Sequence, residues 1–93
     1  MQIVKTDKYI SQLQTILAYI AQDKFRASVY FKTSLDESVD NLCYFPYKYR
    51  QSDYHHSKQM RDMTFKGYTI VYRVDELKEV IEILEIFNQN KAI

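Results

Sequence analysis

Pro46 and Gly67 are the only proline and the only glycine among 93 residues, and they divide what the chain can fold into. Upstream of Pro46 nothing interrupts a helix. Leu13, Ile16, Leu17, Ile20 and Ala21 recur at i, i+3, i+4, i+7 and i+8, the signature of one buried helix face. Thr6 or Asp7 supplies a side chain able to accept from the first-turn amides. Ahead of it, Gln2–Lys5 reads as a short strand. Asp23 reads as the next cap, and a second helix is expected from Lys24 to about Cys43, with Phe31, Leu35, Ser38 and Leu42 on one face and Val39 beside them. Pro46 then disfavours helix in the residue before it. Two helices with so short a connection make an antiparallel hairpin.

Gly67 organises the second half. It lies between Met60–Phe65 and Tyr68–Val74, both able to be extended, and Lys66-Gly67 fits a two-residue hairpin turn because glycine accepts positive φ. Tyr68, Ile70, Tyr72 and Val74 face one way on such a strand, and Thr69, Val71 and Arg73 the other. The hairpin carries Arg61 and Arg73 on one small sheet, where two fixed guanidinium groups suit a phosphate or a carboxylate. Ion pairing with Asp62, Glu82 or Glu85 is the structural alternative for these arginines. Residues 77–87 are ambiguous from pattern alone. Leu77, Val80, Ile81 and Leu84 match a helix face, whereas Val80, Ile81, Ile83 and Ile86 are β-branched and favour a strand.

Charge is uneven along the chain although the net is only +1. Residues 46–73 hold Lys48, Arg50, Lys58, Arg61, Lys66 and Arg73 against Asp53 and Asp62, and residues 74–93 hold two lysines against five acids. The basic stretch is interleaved with Tyr47, Tyr49, Tyr54, Tyr68 and Tyr72, a composition suited to single-stranded nucleic acid or an acidic protein. His55 and His56 also fall in it. Adjacent residues on an extended chain point to opposite sides, and no cysteine or carboxylate at ligand spacing joins them, so neither a metal nor another cofactor is expected. The one cysteine, Cys43, excludes an internal disulfide and reads as a buried, inert thiol. No 18-residue apolar run and no signal-peptide layout is present, so the expectation is a cytoplasmic chain without a membrane span, one domain over residues 1–93.

In order and spacing, these elements resemble the RelE/ParE superfamily of toxins. The resemblance rests on Tyr19-Ile20-Ala21-Gln22-Asp23 and Ala27 at the helix junction, then Leu42, Pro46, Arg61 and Gly67-Tyr68-Thr69-Ile70-Val71-Tyr72-Arg73-Val74, and finally Glu82-Ile83-Leu84-Glu85-Ile86-Phe87, which is similar to the family's last strand. It implies that residues 80–87 form a strand. It also implies an α+β fold, an N-terminal helical hairpin packed on a small, mainly antiparallel sheet. The core would join Leu13, Ile16, Leu17, Ile20, Phe31, Leu35 and Leu42 to Ile70, Tyr72, Ile83 and Phe87 or their strand neighbours.

The same resemblance implies the toxin of a bacterial type II toxin–antitoxin pair, neutralised by a cognate antitoxin in a hetero-oligomer. The ParE-like branch inhibits DNA gyrase without hydrolysis, and the RelE-like branch cleaves mRNA on the ribosome. The helix junction is closer to the ParE-like branch. RelE-like nucleases usually place a histidine or tyrosine at the end of the last strand. This chain has Phe87-Asn88-Gln89-Asn90 there, groups without acid–base chemistry. Three readings follow: a gyrase inhibitor, an mRNA endonuclease drawing on His55, His56, Arg61 and Arg73, and a non-toxic antitoxin-binding member of the fold. For contacts with target or antitoxin the candidates are Lys48, Arg50, Arg61, Tyr72 and Arg73.

Overall fold

The computed structural model describes residues 1–89; Asn90 and Lys91, which enter the motif and charge readings above, lie outside them. The chain runs β1 (Gln2–Lys5), α1 (Asp7–Asp23), α2 (Phe25–Asp40), a 3-10 turn (Asn41–Cys43), β2 (Met60–Phe65), β3 (Tyr68–Asp75) and β4 (Val80–Asn88). The strands form one sheet in the order β1-β4-β3-β2, with β1 parallel to β4 and the other two pairings antiparallel. The α+β architecture is the expected one, and residues 80–88 are a strand. No described helix is long and apolar enough to cross a membrane.

Local chemistry accounts for the boundaries. Thr6 is the N-cap of α1, its Oγ accepting from the Tyr9 amide at 3.2 Å. The hairpin turn has Lys66 at φ 48° and Gly67 at φ 84°, the two positive values of a type I′ turn. Asp23 does not cap α2. It is the last residue of α1, and the cap position belongs to Lys24, in extended backbone and without a side-chain capping bond. The junction is too tight to free Asp23 from the first helix.

One face of the sheet receives the helices. Tyr9, Leu13, Phe31, Leu35, Val39 and Leu42 are buried against Met63, Ile70, Tyr72, Val74, Ile81, Ile83 and Ile86. Ile16, Leu17 and Ile20 are only half-buried and pack against this core from outside it. Phe87 is also half-buried, and it packs edge-on against Tyr54 at 5.3 Å between ring centroids. Cys43 is half-buried rather than enclosed.

α1 docks on an irregularity in β4. Pairing slips between Val71↔Glu85 and Tyr72↔Ile83, leaving Leu84 as an extra residue. Side chains of the helix and its cap satisfy the disturbed backbone. The Thr6 hydroxyl reaches the carbonyls of Ile83 (2.9 Å) and Leu84 (3.2 Å), and Gln12 Oε1 accepts the Ile86 amide at 2.9 Å. Thr6→Val keeps the shape but removes both functions, so it should cost about 1–2 kcal/mol in urea-unfolding free energy. An unchanged midpoint would show that water replaces the hydroxyl without loss.

The opposite sheet face is covered by the chain itself. Residues 50–59 leave the β2 edge through a Gln51↔Arg61 bridge and fold over it. The Asp53 amide donates to Asp62 Oδ2 at 3.0 Å, and Tyr54 lies on Phe87. Asp62, Thr69 and Val71 are therefore buried, although they alternate away from the helix-facing core.

Candidate target-binding surface

The sequence places Arg61 and Arg73 on one sheet, but the register sets them on opposite faces. Arg61 pairs with Tyr72, while Arg73 pairs with Met60, one step along the ladder. With a side-chain period of two, adjacent pairs point to opposite sides. A single site built from both arginines is therefore excluded by the hairpin register. Arg73 is engaged by Glu82 across the β3–β4 pair, with Nε donating at 3.0 Å and Nη2 bonded to the same carboxylate oxygen. That hydrogen bond, followed by the negative charge, raises the Arg73 pKa further above its ordinary value. This exposed pair is a surface ion pair of the kind the sequence allowed.

Arg61 is held differently. Its Nε donates to the Lys58 carbonyl at 3.0 Å and its Nη1 to the Tyr49 carbonyl at 3.1 Å. The guanidinium also lies over the Tyr47 ring, 4.7 Å from the centroid. Among the described residues no carboxylate pairs with it. The result is a half-buried, immobilised cation that no carboxylate among the described residues neutralises.

Around it lies an ordered segment. Tyr72 is fully buried and its hydroxyl donates to the Pro46 carbonyl at 2.8 Å. Burial pushes the Tyr72 phenol up to about 12, against smaller lowerings from a Tyr49 backbone hydrogen bond and then from Arg61. Tyr72 is thus an anchor beneath the surface, not a contact residue. Tyr47 donates to Glu76 Oε1 at 3.1 Å, and its pKa is raised by desolvation and by that carboxylate. Lys48 sits 5.5 Å from the Tyr49 ring centroid, and Arg50 is paired with Asp53 at 2.9 Å. Lys48, Arg50 and Arg61 thus share one neighbourhood near β2.

His55 and His56 lie in the covering loop, half-buried and exposed respectively. Neither joins the network around Arg61 or Arg73. Among the described residues no group of three or more His, Cys, Asp or Glu side chains is placed to hold a metal. Sequence reasoning missed the buried Asp62 that secures this loop, the Glu76 contact to Tyr47, and the exposure of Tyr44 and Phe45 beside the basic stretch. Only the aromatic run at 44–49 could have signalled the last of these.

Residues 3–93 match the model of a family described as "ParE toxin of type II toxin-antitoxin system, parDE". A solved structure titled "Chromosomal ParDE TA system from P. aeruginosa" superposes with a TM-score of 0.75, covering 95% of each chain at 19% sequence identity. At that identity the superposition speaks for the fold alone. No curated protein matches the chain. The family match spans nearly the whole sequence, and the helical hairpin on a four-stranded mixed sheet superposes on that toxin–antitoxin structure as a fold: the chain belongs to the ParE toxin family of type II toxin–antitoxin systems.

Proposed function

We propose that this toxin is held inactive by a cognate antitoxin in a cytoplasmic hetero-oligomer and, when released, inhibits DNA gyrase by binding, without hydrolytic chemistry. The observation that carries this reading is the proton inventory around the unpaired cation. Cleavage of RNA by a 2′-oxygen needs a base, an acid and cations to stabilise the crowded phosphate. The Arg61 neighbourhood supplies cations. Two phenols of this neighbourhood, Tyr47 and Tyr72, hold their protons above the ordinary range and donate them to Glu76 and to the Pro46 carbonyl. Such an arrangement suits binding of an anionic or polar partner better than proton transfer. Messenger-RNA cleavage is the second reading, favoured by His55 and His56 in the loop that starts at the Arg61 edge.

Controlled induction in a bacterial host, with pulse labels for DNA and protein synthesis, separates the two. DNA synthesis should fall first, and the purified toxin should block supercoiling by gyrase. Early loss of protein synthesis with fragmented mRNA, and no effect on supercoiling, would overturn the gyrase reading. Co-expression of the adjacent gene should restore growth and co-purify with the toxin.

A further inference from the structure

The segment Tyr44–Lys48 is more tightly anchored than its exposure suggests. The Tyr44 amide donates to the Asn41 carbonyl (3.1 Å), the Lys48 amide to the Phe45 carbonyl (3.1 Å), and buried Tyr72 holds Pro46 from below. Upon this fixed backbone Tyr44 is 73% exposed, Phe45 64% and Tyr47 41%. Rings as exposed as these occur singly on the helices, but here three lie within four residues, and contiguous exposure of this kind marks a contact surface. Pre-set rings also lose little freedom on binding.

The charges beside the rings are asymmetric. On one side stand Lys48, Lys58 and Arg61, none of which has a carboxylate partner among the described residues; Arg50 nearby is paired with Asp53, and the acid bonded to these rings, Glu76, is taken up by the Tyr47 hydroxyl. On the other, Asp36, Glu37 and Asp40 share a hollow with Tyr44. A ligand with stackable faces and a regular negative backbone meets both demands when it enters over Phe45 and Tyr47 and runs toward the cations. We infer that Phe45 and Tyr47, flanked by Lys48 and Arg61, form a stacking platform for single-stranded DNA, with Tyr44 marking its acidic end. Ring–base stacking supplies affinity without sequence preference, and the cations follow the phosphates. This deepens the gyrase reading and rests on it: the toxin would touch a strand of the DNA on which its target works, as well as the enzyme.

The test is fluorescence anisotropy with the full chain, free of antitoxin, and fluorescein-labelled oligothymidine about 16 nucleotides long, within the site sizes of known stacking grooves. Phe45→Ala should weaken binding about tenfold and Phe45→Tyr should restore it. Lys48→Gln should flatten the log–log salt slope by about 0.7, the single-strand value for one phosphate contact. Both positions are exposed, and circular dichroism will confirm that the variants fold. Asp40→Asn, at the acidic end, should tighten binding. Wild-type affinity in Phe45→Ala and Lys48→Gln overturns the platform, as does absence of binding at about 50 mM salt, where phosphate contacts are strong. Equal displacement by polyglutamate would mark an acidic-protein surface instead, and strong preference for oligouridine would mark an RNA surface; either result overturns the assignment to DNA. A supercoiling assay on the same preparations keeps the two claims apart. Gyrase inhibition without oligothymidine binding removes the platform alone. Oligothymidine binding without gyrase inhibition removes the gyrase reading and leaves the platform.

Discussion

Leu35→Ala should lower the unfolding free energy by about 2–5 kcal/mol, the range for truncating a fully enclosed leucine. Leu35 is 0% exposed, at the middle of α2, where it faces the sheet inside the cluster that includes Tyr9, Ile70 and Ile83. The loss combines the transfer of the removed methyl groups with a residual cavity that rigid β-branched neighbours cannot collapse to fill. In a chain of this size each kcal/mol shifts the melting midpoint by about 4–8 °C, so the effect is visible in a simple thermal scan. Leu17→Ala is the matched comparison. Leu17 is only half-buried and already touches water, so its truncation should fall below the Leu35 value. Equal losses at both sites, or a Leu35 cost under about 1 kcal/mol, would contradict the described core.

The second large effect is alkaline instability. Tyr72 holds its proton to about 12 in the folded protein, against 10.0 for a free phenol, because the fully buried site disfavours a phenolate. The folded-state value is raised, so between the two values the native chain binds more protons than the unfolded one. Stability is therefore complete below pH 10 and drains away as pH climbs toward about 12. Two pH units correspond to about 2.7 kcal/mol. Tyr9 acts in the same direction. Its phenol is pushed up by burial and then by the charges of Asp36 and Asp40. Urea midpoints should stay level for these groups from neutrality to about pH 9.5 and then decline steeply. Tyr72→Phe should shift the neutral-pH midpoint down, through loss of the bond to Pro46, and should make the alkaline decline shallower. A decline as steep as wild type would assign the effect to other groups.

The local part of the fold was legible because it is written in short-range chemistry. Thr6 before an amphipathic run, Pro46 after one, and Lys66-Gly67 between extended runs each specify backbone conformation within a few residues. Tyr9, four residues before Leu13, lies on the same helix stripe and could have been read as core; its polar hydroxyl hid it. What escaped was set by register and by long-range contact. Whether Arg61 and Arg73 share a face depends on pairing Met60 with Arg73 rather than Arg61 with Arg73, a one-residue matter that composition does not reveal. The burial of Asp62 depends on a loop whose polar sequence looked solvent-exposed, and which is held down through its own amide and Tyr54. The basic stretch was visible as charge. Which of its cations stay unpaired became visible only when Glu82 was found beside Arg73 and Asp53 beside Arg50.

The parallel pairing of β1 with β4 has a temporal consequence. Gln2 aligns with Val80 and Lys5 with Ile83, so the first strand made has no partner until the last has been translated. Closing that loop is among the slowest contacts the chain can form, since its ends are separated by most of the sequence. At about 5–20 residues per second, synthesis occupies several seconds during which the helical hairpin exists without its sheet. The sheet of a nascent chain therefore stays unfinished until β4 leaves the ribosome. An antitoxin translated ahead of it would already be present when the sheet closes.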